Sequence, residues 1–202
     1  PQYVPDMLDK LVDVFYKNDK LFRFIHIPVQ SGSNSVLRKM KRGHSADQFS
    51  EIVKAFRQKM PDFTVATDVI AGFPTETESD FQKTIDLLTD AEPDVINISK
   101  YSARPGTESA SWKGVRINTE TVKHRTERLH VLSRVITKRR NAIWNGWHGE
   151  LIVDEVGKVV QGRNYAYKPI VLSEKADLGT KVKVQVYSHT ALALKGRIAQ
   201  HC

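Results

Sequence analysis

The chain has 202 residues, of which 40% are hydrophobic and 27% charged, and a net charge of +8. That composition allows one large or two small domains around a buried core, and no apolar stretch approaches the ~20 residues of a membrane-spanning helix. The sequence opens without a basic-then-apolar leader, so the expected location is cytoplasmic. The single cysteine, Cys202, permits no internal disulfide and no Cys-rich metal motif, so no metal ligand is assigned.

In chain order, Pro5-Asp6 opens a helix with Leu8, Leu11, Val12 and Phe15 on one stripe, ending near Asn18-Asp19. A strand is expected over Phe22–Val29, then a string of small polar residues, then a helical Val36–Met40. Ser45-Ala46-Asp47-Gln48 has capping-box form, and Phe49, Ile52, Val53, Phe56 and Met60 follow at helical spacing until Pro61. A strand over Phe63–Ala71 precedes a helix whose first turn carries the acids Glu78 and Asp80, matched to the helix dipole, and which buries Phe81, Ile85 and Leu88. Pro93-Asp94 leads into a strand over Val95–Tyr101, and a basic helix runs from about Thr119 to Trp144. The order α-β-α-β-α-β-α with short connections predicts parallel βα units.

The pattern changes near residue 146. Short β-rich runs at Glu150–Val156, Lys158–Gly162, Pro169–Leu172, Lys181–Tyr187 and Ala193–Ile198 are separated by Gly, Asn, Asp and Ser. They predict a small antiparallel, OB-like barrel over 146–202, following an α/β domain over 1–145. Charge divides at a similar place. Residues 1–118 carry 16 Lys/Arg and 16 Asp/Glu, whereas residues 119–202 carry 15 and 7, the whole excess. Such asymmetry points to an anionic partner of the C-terminal part, nucleic acid above all, with a solubilising face as the alternative.

Three strand-to-loop transitions share one grammar: Phe24–Ser35, Asp68–Thr77 and Asn97–Thr107. In parallel α/β folds the C-terminal strand ends are where ligands bind. Strand alternation aims His26, Gln30, Asp68, Asn97, Ser99 and Tyr101 into a shared interior, where unpaired polar groups cost about 1–3 kcal/mol each. A ligand-binding network is the expectation; a self-satisfied one, Asp68 with His26 or with Lys100, is the alternative. Gly72 and Pro74 suit a tight turn bringing backbone close to a ligand. Arg38, Lys39, Lys41 and Arg42 suit a solvated helix face.

The segments His26-Ile-Pro-Val-Gln-Ser-Gly-Ser33 with Met40-Lys-Arg42-Gly, Thr67-Asp-Val-Ile-Ala-Gly-Phe-Pro-Thr-Glu-Thr77, and Tyr101-Ser-Ala-Arg-Pro-Gly-Thr107 resemble the radical S-adenosylmethionine methylthiotransferases. The C-terminal barrel, with Gly162-Arg-Asn-Tyr165, resembles the TRAM domain that ends these enzymes and binds RNA. Gly162–Ile170 is most similar to the archaeal and eukaryotic branch, which methylthiolates N6-threonylcarbamoyladenosine beside the tRNA anticodon. The resemblance implies the last three strands of a (βα)6 barrel followed by a TRAM barrel.

It further implies S-adenosylmethionine held near Gln30, Ser31, Gly32, Ser33, Asp68, Gly72, Tyr101 and Arg104. Arg104 suits a carboxylate or a substrate phosphate. The partner implied is tRNA, contacted by Arg163, Asn164, Tyr165 and Lys168 as a cation–aromatic loop, with Arg139 and Arg140 adding phosphate contacts. Complete members carry two [4Fe–4S] clusters on cysteines that these 202 residues lack, so the chain is expected to begin in the third helix of the barrel and to be inactive alone, with no catalytic residue assigned. An open half-barrel is also expected to invite self-association. Alternatives within this reading are an RNA-binding module without redox chemistry, or a methylthiotransferase acting on isopentenyladenosine or on a ribosomal protein.

Overall fold

The computed structural model describes residues 5–112 and 114–199, the side chains of Pro5 and Asp6 excepted; Cys202 lies outside them. Helix α1 (Pro5–Lys17) leads to strand β1 (Phe24–His26), followed by α2 (Asn34–Lys39) and α3 (Ala46–Lys59). Strand β2 (Thr64–Ala71), helix α4 (Glu78–Ala91) and strand β3 (Val95–Lys100) complete a three-stranded parallel sheet in the order β1-β2-β3. A short α5 (Glu108–Ser111), with no sequence signal, precedes the long α6 (Thr119–Ala142).

Helix starts obey local chemistry. Ser45 and Thr77 both close full capping boxes, with Gln48 and Asp80. Burial of the Asp80 carboxyl opposes its charge, but hydrogen bonds from Ser33, Thr77 and Ser35 hold it far below the usual carboxylate range. The core between helices and sheet is aromatic. Phe56 stacks on Phe63 at 4.3 Å between centroids, and Phe15 meets both edge-on. Phe49, Phe56, Phe63, Phe81 and Leu88 are fully buried, each contributing roughly 1.5–3 kcal/mol of burial. Leu11 departs from the expected stripe: it is exposed, and α1 meets the core through Leu8, Val12 and Phe15. Strand β1 is shorter than expected because Pro28 interrupts pairing; Gln30 rejoins β2 only through a single bridge to Val69.

Beyond α6, strands β4 (His148–Val156), β5 (Val160–Arg163), β6 (Pro169–Leu172), β7 (Lys181–His189) and β8 (Leu194–Ile198) close a barrel in the order β4-β5-β6-β8-β7. The expectation of a wholly antiparallel barrel is corrected: β6 and β8 pair in parallel, Ile170 opposite Leu194. Its core is built from Trp144, Leu151, Val153, Ala166, Ile170, Val184, Val186 and Leu194. Among the described residues no helix is long and apolar enough to cross a membrane.

The two parts are joined by a buried ion cluster. The Asp94 carboxylate, fully inaccessible, accepts from Arg57 Nη2 (2.9 Å), Arg140 Nε (3.2 Å) and Lys168 Nζ (2.8 Å), and from the Val65 amide. Asn141 spans the joint, accepting from Lys168 Nζ and donating to the Thr190 carbonyl. Tyr165 adds a second pin: its hydroxyl donates to Asp62 (2.5 Å), Arg23 also donates to Asp62, and the Arg23 guanidinium lies 5.0 Å from the Tyr165 ring. Burial, reinforced by Asp62, pushes the Tyr165 hydroxyl up to about 12, so it stays a donor.

Candidate functional site: a cavity at the strand ends

The inner face of the sheet carries the polar residues that the alternation places there. Register sets Asp68 opposite Asn97 and Ile70 opposite Ser99. At the C-terminal ends of β2 and β3 this face opens into a cavity of about 770 Å3, lined by Gln30, Asp68, Asn97, Ser99, Tyr101 and Arg104, with Phe73 and Ile70 as apolar wall. That volume lies within the ~300–1,000 Å3 range of small-molecule sites. Cations gather at its mouth: Lys39, Lys41, Arg42, Lys100 and Arg104 all line it, with Glu108 as a counter-charge to Lys41 at 2.5 Å. Lys39 is exposed, as a solvated face requires, and its ammonium donates to Thr75 Oγ1 at 2.6 Å.

Backbone around the cavity is unusual. Gln30 and Lys41, both on its lining, have φ of +70° and +56°, and Thr75 beside them has +72°. Left-handed conformations in non-glycine residues cost energy and cluster where geometry is held for a purpose. Deeper in the sheet, His26 Nε2 and Asn97 Nδ2 both lie 2.9 Å from Asp68 Oδ1. The alternative pairing of Asp68 with His26 is therefore realised, with Asn97 as a third member, and Lys100 takes no part in it.

Of the eight residues assigned to the cofactor, Gln30, Asp68, Tyr101 and Arg104 come together on this lining; the other four do not. Ser31 and Ser33 are fully buried and turned onto α4, Ser31 against Thr84 and Ser33 donating to Asp80 at 2.6 Å. Gly32 is glycine because a Cβ would sit 2.3 Å from the Lys83 carbonyl oxygen. Gly72 has φ of +81°, its amide donates to Glu76, and a Cβ there would meet Val122 of α6 at 2.5 Å. The close approach that the structure shows is to α6. Arg125, itself buried, fixes the same turn through Glu76 (2.8 Å) and Glu78 (3.1 Å).

The residues assigned to RNA are also redistributed. Lys168 and Asn164 are buried, Lys168 on Asp94 and Asn164 with its side-chain oxygen capping the Ala166 and Lys168 amides. Arg140 is spent on Asp94 and the Pro61 carbonyl. Lys168 crosses the joint, Arg140 braces Asp94 from α6 and Asn164 shapes its own loop, so the expectation of Lys168 and Arg140 as free cations is corrected. Arg163 is half-buried and ion-paired with Asp154 at 2.7 Å, Tyr165 is pinned to Asp62, and Arg139 is exposed but paired with Glu92.

A surface that the sequence reading did not single out carries free cations instead. Lys181, Lys183 and Tyr187 on β7 and Lys195 and Arg197 on β8 are exposed, while Val184, Val186 and Leu194 between them fill the barrel. Gln185, paired with Arg197, orients its guanidinium at 2.8 Å. No carboxylate ion-pairs with these cations among the described residues. The signal was present as alternation in Lys181-Val-Lys-Val-Gln-Val-Tyr187, cations facing out on a period of two.

Comparison with known proteins fits this architecture. Residues 1–88 match the family model described as the Radical SAM superfamily. The chain is 40% identical over 176 residues to a probable threonylcarbamoyladenosine tRNA methylthiotransferase of Pyrococcus horikoshii, covering 86% of this chain and 41% of that one. It is 38% identical over 192 residues to the probable threonylcarbamoyladenosine tRNA methylthiotransferase of Methanocaldococcus jannaschii, covering 95% and 43%. The first part of the chain thus matches the Radical SAM superfamily model, and most of the chain is similar to relatives named as tRNA methylthiotransferases. A tRNA-2-methylthio-N(6)-dimethylallyladenosine synthase of Pseudothermotoga lettingae is 34% identical over 203 residues, covering 99% of this chain and 47% of that one. The chain thus spans between two fifths and half the length of these curated relatives. Among solved structures, coproporphyrinogen III oxidase (HemN) of Escherichia coli, described as a radical SAM enzyme, superimposes with a TM-score of 0.53 at 14% identity, over 96% of this chain and 49% of that one. That likeness concerns the fold.

The matched superfamily model implies two groups. The strand-end residues carry no thiolate, and Cys202 is the only cysteine in the sequence, so they do not fit an iron–sulfur cluster. They do fit S-adenosylmethionine: the lining is polar with an aromatic wall, and the Tyr101 hydroxyl is buried with no hydrogen-bond partner. An orphaned buried hydroxyl is a group waiting for one.

Proposed function

We propose that these 202 residues form the cofactor-holding wall and RNA-binding module of a tRNA methylthiotransferase acting at C2 of N6-threonylcarbamoyladenosine beside the anticodon. The observation that carries this reading is the 770 Å3 cavity assembled by the three family motifs, with its orphaned Tyr101 hydroxyl. Relatives named for the threonylcarbamoyl substrate are 38–40% identical, against 34% for the dimethylallyl type, which favours the former. Bound S-adenosylmethionine supplies the reactive sulfonium. This chain would bind and orient it: Tyr101, packed edge-on by Phe73 at 5.3 Å, would donate a hydrogen bond, and Arg104 would pair with the carboxylate or with a substrate phosphate. The [4Fe–4S] centres of the reaction need thiolates that these residues do not offer, so the transfer is not performed by this stretch alone.

In the same reading the five-stranded barrel is the TRAM-type module, and its β7–β8 face meets tRNA. Free cations interleaved with an exposed tyrosine supply phosphate contact and base stacking. The cations at the cavity mouth would continue that track toward the reacting nucleotide.

Tyr101→Phe tests the cofactor half of the proposal. Removing a hydroxyl that has no partner in the free protein leaves stability unchanged or slightly raised, whereas removing one that binds ligand weakens S-adenosylmethionine binding by about tenfold. Calorimetric titration of the 202-residue chain, beside a thermal melt, reads both. Unchanged affinity, or no binding by the unaltered chain, removes the cofactor assignment and leaves the RNA-binding module as the reading.

A further inference from the structure

Helix α6 runs from the strand-end cavity to the barrel. In its first turn Val122 packs against Gly72, next to Phe73 on the cavity wall. In its last, Asn141 donates to the Thr190 carbonyl at 2.9 Å, within the turn between β7 and β8. The helix has 24 residues, which at 1.5 Å per residue make about 36 Å.

Its seven Lys and Arg side chains fall into two sets. Arg125 and Arg128 pair with Glu76 and Glu78, Arg139 with Glu92, and Arg140 with Asp94. Lys123, Arg134 and Lys138 are exposed, and no carboxylate ion-pairs with them among the described residues. At 3.6 residues per turn these three share one stripe with Glu127 and His130, all five within about 80° around the helix axis. The stripe is about 22 Å long and faces away from the core, which α6 meets through Leu129 and Ile136. Arg139 and Arg140, the phosphate contacts expected from the sequence, belong to the neutralised set.

We propose that this outward stripe of α6 is a second RNA-backbone contact, carrying phosphates from the barrel toward the strand-end cavity. The inference rests on the tRNA reading for its partner, but its residues are separate from those of the β7–β8 face. A helix exterior is convex, so it suits a partner that lays charges along a line, not a small anion enclosed on all sides. Cations that the protein leaves unneutralised release counterions when phosphate binds them. The stripe also ends at the hairpin that carries the free cations of β7 and β8, which favours one long polyanion lying over both.

Arg134→Glu with Lys138→Glu, in the 202-residue chain, should weaken tRNA binding about 30-fold at low salt and lower the salt slope by about two contacts. Arg134→Gln with Lys138→Gln avoids acids near the helix C-terminus and should still weaken it about tenfold. A thermal melt of each variant reads whether it is folded. Glu127→Gln removes the one acid of the stripe and should tighten binding about twofold. The control is Lys54→Glu with Lys83→Glu, exposed cations of α3 and α4. It changes net charge as much as the α6 reversal and should keep tRNA affinity within about twofold.

An equal loss in that control overturns the stripe, because it marks a response to net charge alone. Unchanged binding by the folded α6 variants overturns it too. If Lys183→Glu with Arg197→Glu weakens tRNA while the α6 variants do not, the stripe falls and the barrel reading stands. A loss at α6 with the β7–β8 reversal silent keeps the stripe and takes the RNA off the barrel. No tRNA binding by the unaltered chain removes both.

Discussion

Asp94→Ala will destabilise the chain by about 3–5 kcal/mol and loosen the C-terminal barrel from the sheet. The carboxylate sits at a point where three elements of the first part and one loop of the second converge, carrying Arg57 from α3, Arg140 from α6 and Lys168 from the β5–β6 segment. Its removal leaves three cations in a site with no other carboxylate to receive Lys168, and exposes the Val65 amide as an unpaired donor. That cost is of the kind that breaking a buried ion cluster brings, beyond the net worth of the cluster itself. Urea unfolding should show the loss, and the single transition should separate into two as the parts uncouple. Lys168→Met should cost less in the Asp94→Ala background than alone; the difference measures the coupling across the joint.

The same cluster sets an acid limit. Burial of Asp94 works against its charge, but Lys168, Arg140 and Arg57 hold its carboxyl below the ordinary 3.8. A carboxyl depressed in the folded state contributes stability that is complete above its unfolded value and is lost as pH falls through the folded one. The joint is therefore expected to persist at pH 5 and to fail only below about 3.8. A melt series in Asp94→Asn should lose that slope and leave the remaining acid sensitivity, that of Asp80 at the α4 cap, in place.

Where local chemistry decides the outcome, the sequence was legible. The capping-box form at Ser45 placed α3 and the first-turn acids Glu78 and Asp80 placed α4, strand alternation turned Asp68, Asn97 and Ser99 inward, and turn residues divided the barrel strands. Decisions made by distant contacts were not legible. Gly32 and Gly72 have the residue type of ligand-approaching glycines, yet each is required by a helix packed more than 40 residues further along the chain, α4 in one case and α6 in the other. Lys168 reads as a surface cation in a polar loop; only the fold brings it to Asp94, 74 positions away in the chain. Leu11 satisfied helical spacing but fell on the wrong side of α1, since the stripe was one position too wide. Family motifs found the strand ends, while packing decided which members of each motif face the cavity.

That redistribution has its largest functional consequence on RNA. Reversing two charges on the β7–β8 face, Lys183→Glu with Arg197→Glu, should weaken tRNA binding on the order of 100-fold at low salt and flatten the plot of log affinity against log salt by about two contacts' worth. Both residues are exposed on strands whose inward neighbours, Val184, Val186 and Leu194, are untouched, so the barrel should remain folded. Arg163→Glu, by contrast, should change tRNA affinity little, because its guanidinium is already neutralised by Asp154 and covers Tyr167. Tyr187→Ala should lower affinity without altering the salt slope, since stacking releases no counterions. Gel-shift titrations at several salt concentrations separate these effects. A loss confined to the Arg163 variant, with the β7–β8 reversal silent, would return the RNA to the loop and mark the free cations of β7 and β8 as a solubilising face. The physical wager is simple: phosphate pays counterions to bind free charge, and on this barrel the free charge is on the two strands, not in the loop.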